Sequence, residues 1–167
     1  MSRRRALLAA TLLLPLCGGT RAQGQRLDDS ASPRSRVPAQ VVLGDTGRPL
    51  VASPFSDTAL VRFGRIDYRL ATAAYVGHQA RIRYVVPSAI AGLRSPRGLR
   101  VEWRALPPLA SGAGRPGDHV PVWSGLVTQP LMSVSLELTA HVDLRELDTG
   151  PTQQFGFECY FEIEVLR

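Results

Sequence analysis

The chain has 167 residues, with 20 basic and 14 acidic side chains and a formal net charge of +6. All the basic residues are arginine, and four of them (Arg3, Arg4, Arg5 and Arg21) lie within residues 1–22. The rest of the chain therefore has 20 − 4 = 16 arginines against 14 acids, or +2. That excess is too small to indicate a nucleic-acid partner. Lys and Asn, whose codons begin with AA, are both absent, which indicates a GC-rich, bacterial gene.

Residues 1–22 are typical of a secretory signal peptide. Three arginines precede an apolar stretch at residues 6–16, and the tripeptide at 20–22 places small residues where a signal peptidase reads. The apolar stretch is too short to span a membrane. We therefore expect cleavage after Ala22, export to the periplasm or the extracellular space, and no transmembrane helix in the mature chain. Cys17 leaves an alternative open, a lipoprotein anchored through this cysteine.

Residues 23–36 contain a single large apolar side chain, Leu27, among charged residues, Ser and Pro. This composition predicts a flexible leader. Removal of residues 1–22 leaves 167 − 22 = 145 residues, a length sufficient for one domain with its own core. We expect that single domain to cover residues 37–167.

From residue 37 onward the apolar residues recur at every second position. Strict alternation indicates strands with one face in the core and one in water, as in antiparallel sheets. The pattern predicts seven strands, or eight if the second counts twice: 37–43, 58–70, 80–86, 98–104, 119–127, 131–144 and 155–166. The predicted fold is an all-β, antiparallel two-sheet immunoglobulin-like β-sandwich of 7–8 strands.

The alternation changes phase at Gly64. Val61 and Phe63 occupy odd positions, whereas Ile66 and Tyr68 occupy even ones. A slip of one residue would turn the rest of the strand inside out. Gly64 is therefore predicted to form a β-bulge or a bend between sheets.

Cys159 is the only cysteine of the expected mature chain, so no intramolecular disulfide is expected. A single cysteine in an exported protein can be a reactive thiol or a dimer bridge. Here it shares its parity with Phe157 and Phe161, on the apolar side of the last strand. We therefore predict a small, buried and unreactive side chain.

The tripeptide Asp-Thr-Gly occurs twice, beginning at Asp45 and at Asp148. It resembles the triplet of the aspartic proteases, in which two carboxylates share a proton. A small residue usually follows the triplet in that family, whereas Arg48 and Pro151 follow it here. Asp, Thr and Gly are also common turn residues between strands. We interpret both triplets as turns.

Other catalytic or metal-binding patterns find no support. His78, His119 and His141 are scattered, and none is paired at the spacing of metal ligands. Ser124 lacks the Gly-x-Ser-x-Gly elbow of serine hydrolases. We therefore predict no metal site, no cofactor and no enzymatic activity.

Several arginines occupy outward parities, which allows two interpretations. A patch for an anionic partner, such as a phosphorylated glycan or a lipid headgroup, would consist of Arg65, Arg69, Arg81 and Arg83. Alternatively, these arginines pair across strands with the carboxylates of residues 137–167, each pair adding about 0.2–1 kcal/mol. The nearly neutral charge of the expected mature chain favours such ladders.

Three functions remain open. The first is an exported, non-enzymatic binding or interaction module of the bacterial cell envelope, whose partner is an unknown envelope protein or glycan. The second is a pilus-type subunit completed by donor-strand pairing, since the size and the alternating final strand resemble chaperone–usher pilins. Leu166 stands where those subunits usually have an aromatic residue. The third is a small outer-membrane β-barrel, because segments 132–144 and 155–166 are long enough to span.

Overall fold

The computed structural model describes residues 24–33, 39–148 and 155–167. The predicted signal peptide and Cys17 lie outside this part of the chain, so export and lipidation remain predictions. No helix in the described part is long and apolar enough to cross a membrane.

The described residues form nine β-strands and short 3₁₀ turns. The strands are β1 (Gln25–Arg26), β2 (Val41–Leu43), β3 (Thr58–Ala71), β4 (Gln79–Val85), β5 (Leu99–Ala105), β6 (Gly112–Gly114), β7 (His119–Leu126), β8 (Leu131–Asp143) and β9 (Tyr160–Val165). The 3₁₀ turns are Leu50–Ala52, Ala73–Tyr75, Pro96–Gly98 and Leu144–Glu146. One sheet has the order β1-β9-β4-β7 and the other has the order β2-β3-β8-β5-β6. The predicted all-β, antiparallel two-sheet sandwich is confirmed.

The strand order follows from a nested pairing. β1 pairs with β9, β3 with β8, β4 with β7 and β5 with β6, all antiparallel. This order arises when a long antiparallel hairpin folds over on itself and its strands divide between two sheets. It is the strand order of a jelly roll. In an immunoglobulin domain the second strand pairs with the fifth and the third with the sixth. The sandwich is thus immunoglobulin-like in its two layers and differs in its connections.

Gly64 forms the predicted bulge. Its φ of +76° suits glycine, and the pairing of β3 with β8 shifts between Arg62 and Gly64. The strand continues in the same sheet on both sides of the shift. Ala59 and Leu70 have opposite parities, yet both are buried, with 3% and 0% exposed. The bulge therefore keeps the whole of β3 facing the core.

Residues 24–33 differ from the predicted flexible leader. Gln25 and Arg26 pair with β9, and the Leu27 N–H donates to the Phe161 carbonyl at 2.8 Å. The Leu27 side chain is only 3% exposed. Further on, the Asp28 carbonyl accepts the Ala71 N–H at 2.8 Å. The leader therefore crosses from one sheet to the other and contributes to the core.

The closing strand is shorter than the predicted 155–166. Its ladder with β4 begins at the pair Tyr160–Val85, since β4 ends at Val85 and Pro87 cannot donate to a ladder. Residues 155–159 make only an isolated bridge, between Gly156 and Ala91. This short segment lies outside the ladder of the sheet and lines a groove in the surface of the protein.

Candidate ligand groove

A groove of about 680 Å³ lies on one side of the sandwich. We call it the groove throughout. Three segments that are distant in sequence line it: residues within 26–33, residues within 63–68 of β3, and residues 155–159, together with Leu138 of β8. Its volume lies within the range of about 300–1,000 Å³ that is typical of small-molecule sites.

The groove follows from the geometry of its neighbours. The bulge at Gly64 turns Ile66 and Tyr68 towards the interior, while residues 155–159 have left the ladder of the opposite sheet. Apolar side chains from both layers are therefore only partly covered at this edge.

Its walls are aromatic. The rings of Phe63 and Phe157 meet edge to face, with centroids 5.9 Å apart. Phe155 contacts Phe157 at 6.0 Å. All three side chains are partly buried against the core, so they form an ordered apolar wall.

Two polar groups lie at the floor of the groove, and a third is buried behind them. Tyr68 and Cys159 line the groove, and the fully buried Tyr84 hydroxyl lies beside both of them. Burial raises the pKa of Tyr68 to about 12 and that of Cys159 to about 12, and it raises the pKa of Tyr84 well above 10. All three groups are therefore neutral at physiological pH. The predicted burial of Cys159, which is 5% exposed, is confirmed.

The Tyr84 hydroxyl interacts with the Tyr68 hydroxyl and the Cys159 thiol. Buried hydroxyls are rarely left without a partner. The three groups therefore form a small buried polar cluster at the base of the groove.

The rim is charged and mainly acidic. The groove-lining residues include Asp29, Asp67 and Glu158 against Arg26 alone, a sum of 1 − 3 = −2. Arg26 pairs with Glu158 at 3.2 Å, and its guanidinium lies 4.6 Å from the centre of the Tyr160 ring. Hydrogen bonds from the Ser135 hydroxyl and from an arginine of β3 lower the pKa of Asp67. These interactions keep Asp67 ionised.

The structure does not bring the four predicted patch arginines together. Arg65 and Arg69 lie on the outward face of β3, in the five-stranded sheet, whereas Arg81 and Arg83 lie on β4, in the four-stranded sheet. The outward faces of two stacked sheets lie on opposite sides of a sandwich. The four residues thus form two separate pairs.

Two of these arginines have carboxylate partners. Arg83 pairs with Glu164 of the adjacent β9 at 2.5 Å, and these side chains are 24% and 18% exposed. This is a cross-strand pair of the kind the ladder interpretation predicts. Arg65 pairs instead with Asp67 of its own strand at 3.1 Å.

The first Asp-Thr-Gly triplet stabilises a turn, as interpreted from the sequence. The Asp45 carboxylate accepts the N–H groups of Asp57 at 3.0 Å and of Thr58 at 2.9 Å, as well as the Thr58 hydroxyl. The Thr58 hydroxyl bond and the Asp57 backbone bond are the main reasons why the pKa of Asp45 falls to about 2. In the second triplet the Asp148 N–H donates to the Gly92 carbonyl at 2.9 Å, and its Thr and Gly lie outside the described residues.

Two of the histidines contact glutamates on the outward faces of the sheets. His119 Nδ1 lies 2.9 Å from Glu162, and His141 Nε2 lies 3.4 Å from Glu102. Within residues 24–33, 39–148 and 155–167, no group of three His, Cys, Asp or Glu side chains is placed to hold a metal ion.

Comparison of the chain with protein-family models, with curated proteins and with solved structures found no match. The fold is a jelly-roll sandwich, and the groove has aromatic walls and a mainly acidic rim.

Proposed function

We propose that this protein is an exported, non-enzymatic binding module of the bacterial cell envelope, and that the groove is its ligand site. The single observation that carries this proposal is the groove of about 680 Å³ with aromatic walls. Apolar concave sites with a few polar groups are the usual form of ligand pockets. The signal-like residues 1–22 support export.

The chemistry of the groove supports binding rather than catalysis. The Cys159 thiol has a pKa of about 12, so the nucleophilic thiolate is scarcely populated. Outside the groove, the Asp45 carboxylate of the first Asp-Thr-Gly triplet is occupied by hydrogen bonds to Asp57 and Thr58. The groove thus offers shape, apolar surface and charge.

Gly156 allows a direct test. It lines the groove, and a Cβ added to it would meet nothing within 4 Å. Gly156→Trp should fill the groove without disturbing the core, while Gly156→Ala changes the same backbone position and leaves the groove open. N-phenyl-1-naphthylamine, a neutral aromatic probe whose emission rises in apolar surroundings, would report occupancy.

We expect the native protein to bind one probe molecule per chain. Gly156→Trp should weaken binding by at least about tenfold, and Gly156→Ala should stay within about twofold of the native protein. Failure of the native protein to bind the probe would contradict the proposal, as would equal binding by the native protein and Gly156→Trp.

The pilus-type subunit remains a second candidate because the groove extends along β3 from Phe63 to Tyr68. An extended donor segment could lie along such a strand. A subunit of that kind needs a donor or a chaperone to stay folded. We expect residues 23–167, purified without a partner, to be a soluble monomer by light scattering. Folding only with an added donor peptide would favour the pilus alternative.

A further inference from the structure

We propose that the groove selects ligands that combine an apolar body with a positively charged group, such as an organic ammonium ion. This inference rests on the proposed function, because it specifies the ligand class of the same site. It differs from the anionic partner that the outward arginines suggest from the sequence.

The uneven charge of the rim is the first argument. Glu158 has a counterion in Arg26, and Asp67 has one in Arg65. Within the described part of the chain, no cationic side chain pairs with the Asp29 carboxylate at 4.0 Å or less. Asp29 is half-buried, so solvent screens it less than a fully exposed charge.

The aromatic walls are the second argument. An ammonium group within about 6 Å of a ring centre is attracted to the face of the ring, more strongly where water is excluded. Phe63, Phe155 and Phe157 supply such rings beside the acidic rim. The same surface therefore suits both the apolar body and the cationic end of the ligand.

The floor is the third argument. The Tyr84 hydroxyl is fully buried beside the groove-lining Tyr68 and Cys159, and burial keeps all three groups neutral. The charge that an incoming ligand meets therefore comes from the rim, where three carboxylates stand against one guanidinium. A cation at the rim and an apolar body below match this layout.

Three matched probes would test the inference by isothermal titration calorimetry: 4-phenylbutylamine, 4-phenylbutanol and 4-phenylbutyrate. They share one aromatic body and differ in the charge of the end group. We expect the amine to bind most tightly and the carboxylate most weakly, with a difference of at least about tenfold. Added salt should weaken binding of the amine and leave that of the alcohol nearly unchanged.

Asp29→Asn should weaken binding of the amine about three- to tenfold while the alcohol binds as before, which also shows that the groove is intact. Glu137→Gln is the matched control, because Glu137 is an exposed carboxylate on the opposite face of β8 from the groove-lining Leu138. It should change neither affinity.

Equal affinities for the three probes would overturn the charge inference and leave the proposed function standing, as would tightest binding of the carboxylate. If none of the three binds while N-phenyl-1-naphthylamine does, only the ligand class is wrong. If that probe also fails to bind, the proposed function is wrong as well.

Discussion

Phe161→Ala tests whether the closing strand is part of the core. Phe161 is 1% exposed and lies on β9, which is hydrogen-bonded to β4 on one side and to β1 on the other. Its ring centroid lies 5.1 Å from that of Tyr68 and 4.9 Å from that of Tyr84. The substitution therefore removes a ring on which two others pack.

The expected loss in the free energy of unfolding is about 3–5 kcal/mol, the range for replacing a buried Phe with Ala. The loss should lie towards the upper end of that range, because the ladders of β3 and β4 hold Tyr68 and Tyr84 in place and the cavity cannot collapse. Domains are stable by only about 5–15 kcal/mol. The variant should thus fold but be much more easily unfolded.

Urea unfolding followed by tryptophan fluorescence would measure the change, since Trp103 is 2% exposed in the native fold. Phe55→Ala is the matched control: the chemical change is the same, and Phe55 is 96% exposed. Phe55→Ala should lower the free energy of unfolding by less than about 0.5 kcal/mol. Losses that agree within about 1 kcal/mol would refute the interior placement of the closing strand.

Four further predictions concern other parts of the chain. Cys159 should not react with a thiol reagent in the folded protein, because burial raises its pKa to about 12; prompt labelling without denaturant would contradict this. Arg83→Gln should destabilise the protein more than Arg65→Gln in urea unfolding, since these arginines are 24% and 60% exposed in their pairs, and an exposed pair contributes under about 1 kcal/mol. Equal losses would argue against the pairing. The pKa of Asp45 is lowered to about 2 from about 3.9 in an unfolded chain, so its bonds stabilise the fold above about pH 4 and are lost towards pH 2. Asp45→Asn should therefore be less stable than the native protein at neutral pH, and thermal unfolding should show the difference shrinking in acid; a constant difference would exclude this role. Mass spectrometry of the exported protein should find the N-terminus at Gln23; an N-terminus at a diacylated Cys17 would contradict this and indicate a membrane-anchored lipoprotein.

The long strands were predictable because each has one buried face. Alternation predicted strands at 58–70 and 119–127, and the structure has Thr58–Ala71 and His119–Leu126. The bulge at Gly64 was predictable for the same reason, since a change of phase inside an otherwise regular strand requires an extra residue.

The strands β1 and β6 were missed because two or three residues cannot display a period of two. Leu27 was the only residue whose type indicated that the leader packs against the core. One apolar residue among polar ones does not distinguish a packed segment from a flexible one. The odd or even position of a residue also predicts whether its side chain faces the core or water, but it does not predict which sheet its strand joins. For this reason the arginines of β3 and β4 seemed to form one surface, whereas the nested pairing separates them.

One signal for the groove was nevertheless present in the sequence. The predicted strand 155–166 is five residues longer than 80–86, the strand with which its last part pairs. Where one strand extends beyond the end of its neighbour, its alternating apolar residues have no paired strand beside them in that sheet. Phe155 and Phe157 lie in this overhang, where no described strand of their own sheet pairs with them. The structure places them against Phe63 of the opposite sheet and leaves a groove between the layers. The extra length of the predicted last strand, combined with the pairing of β9 with β4, therefore indicates this edge of the sandwich.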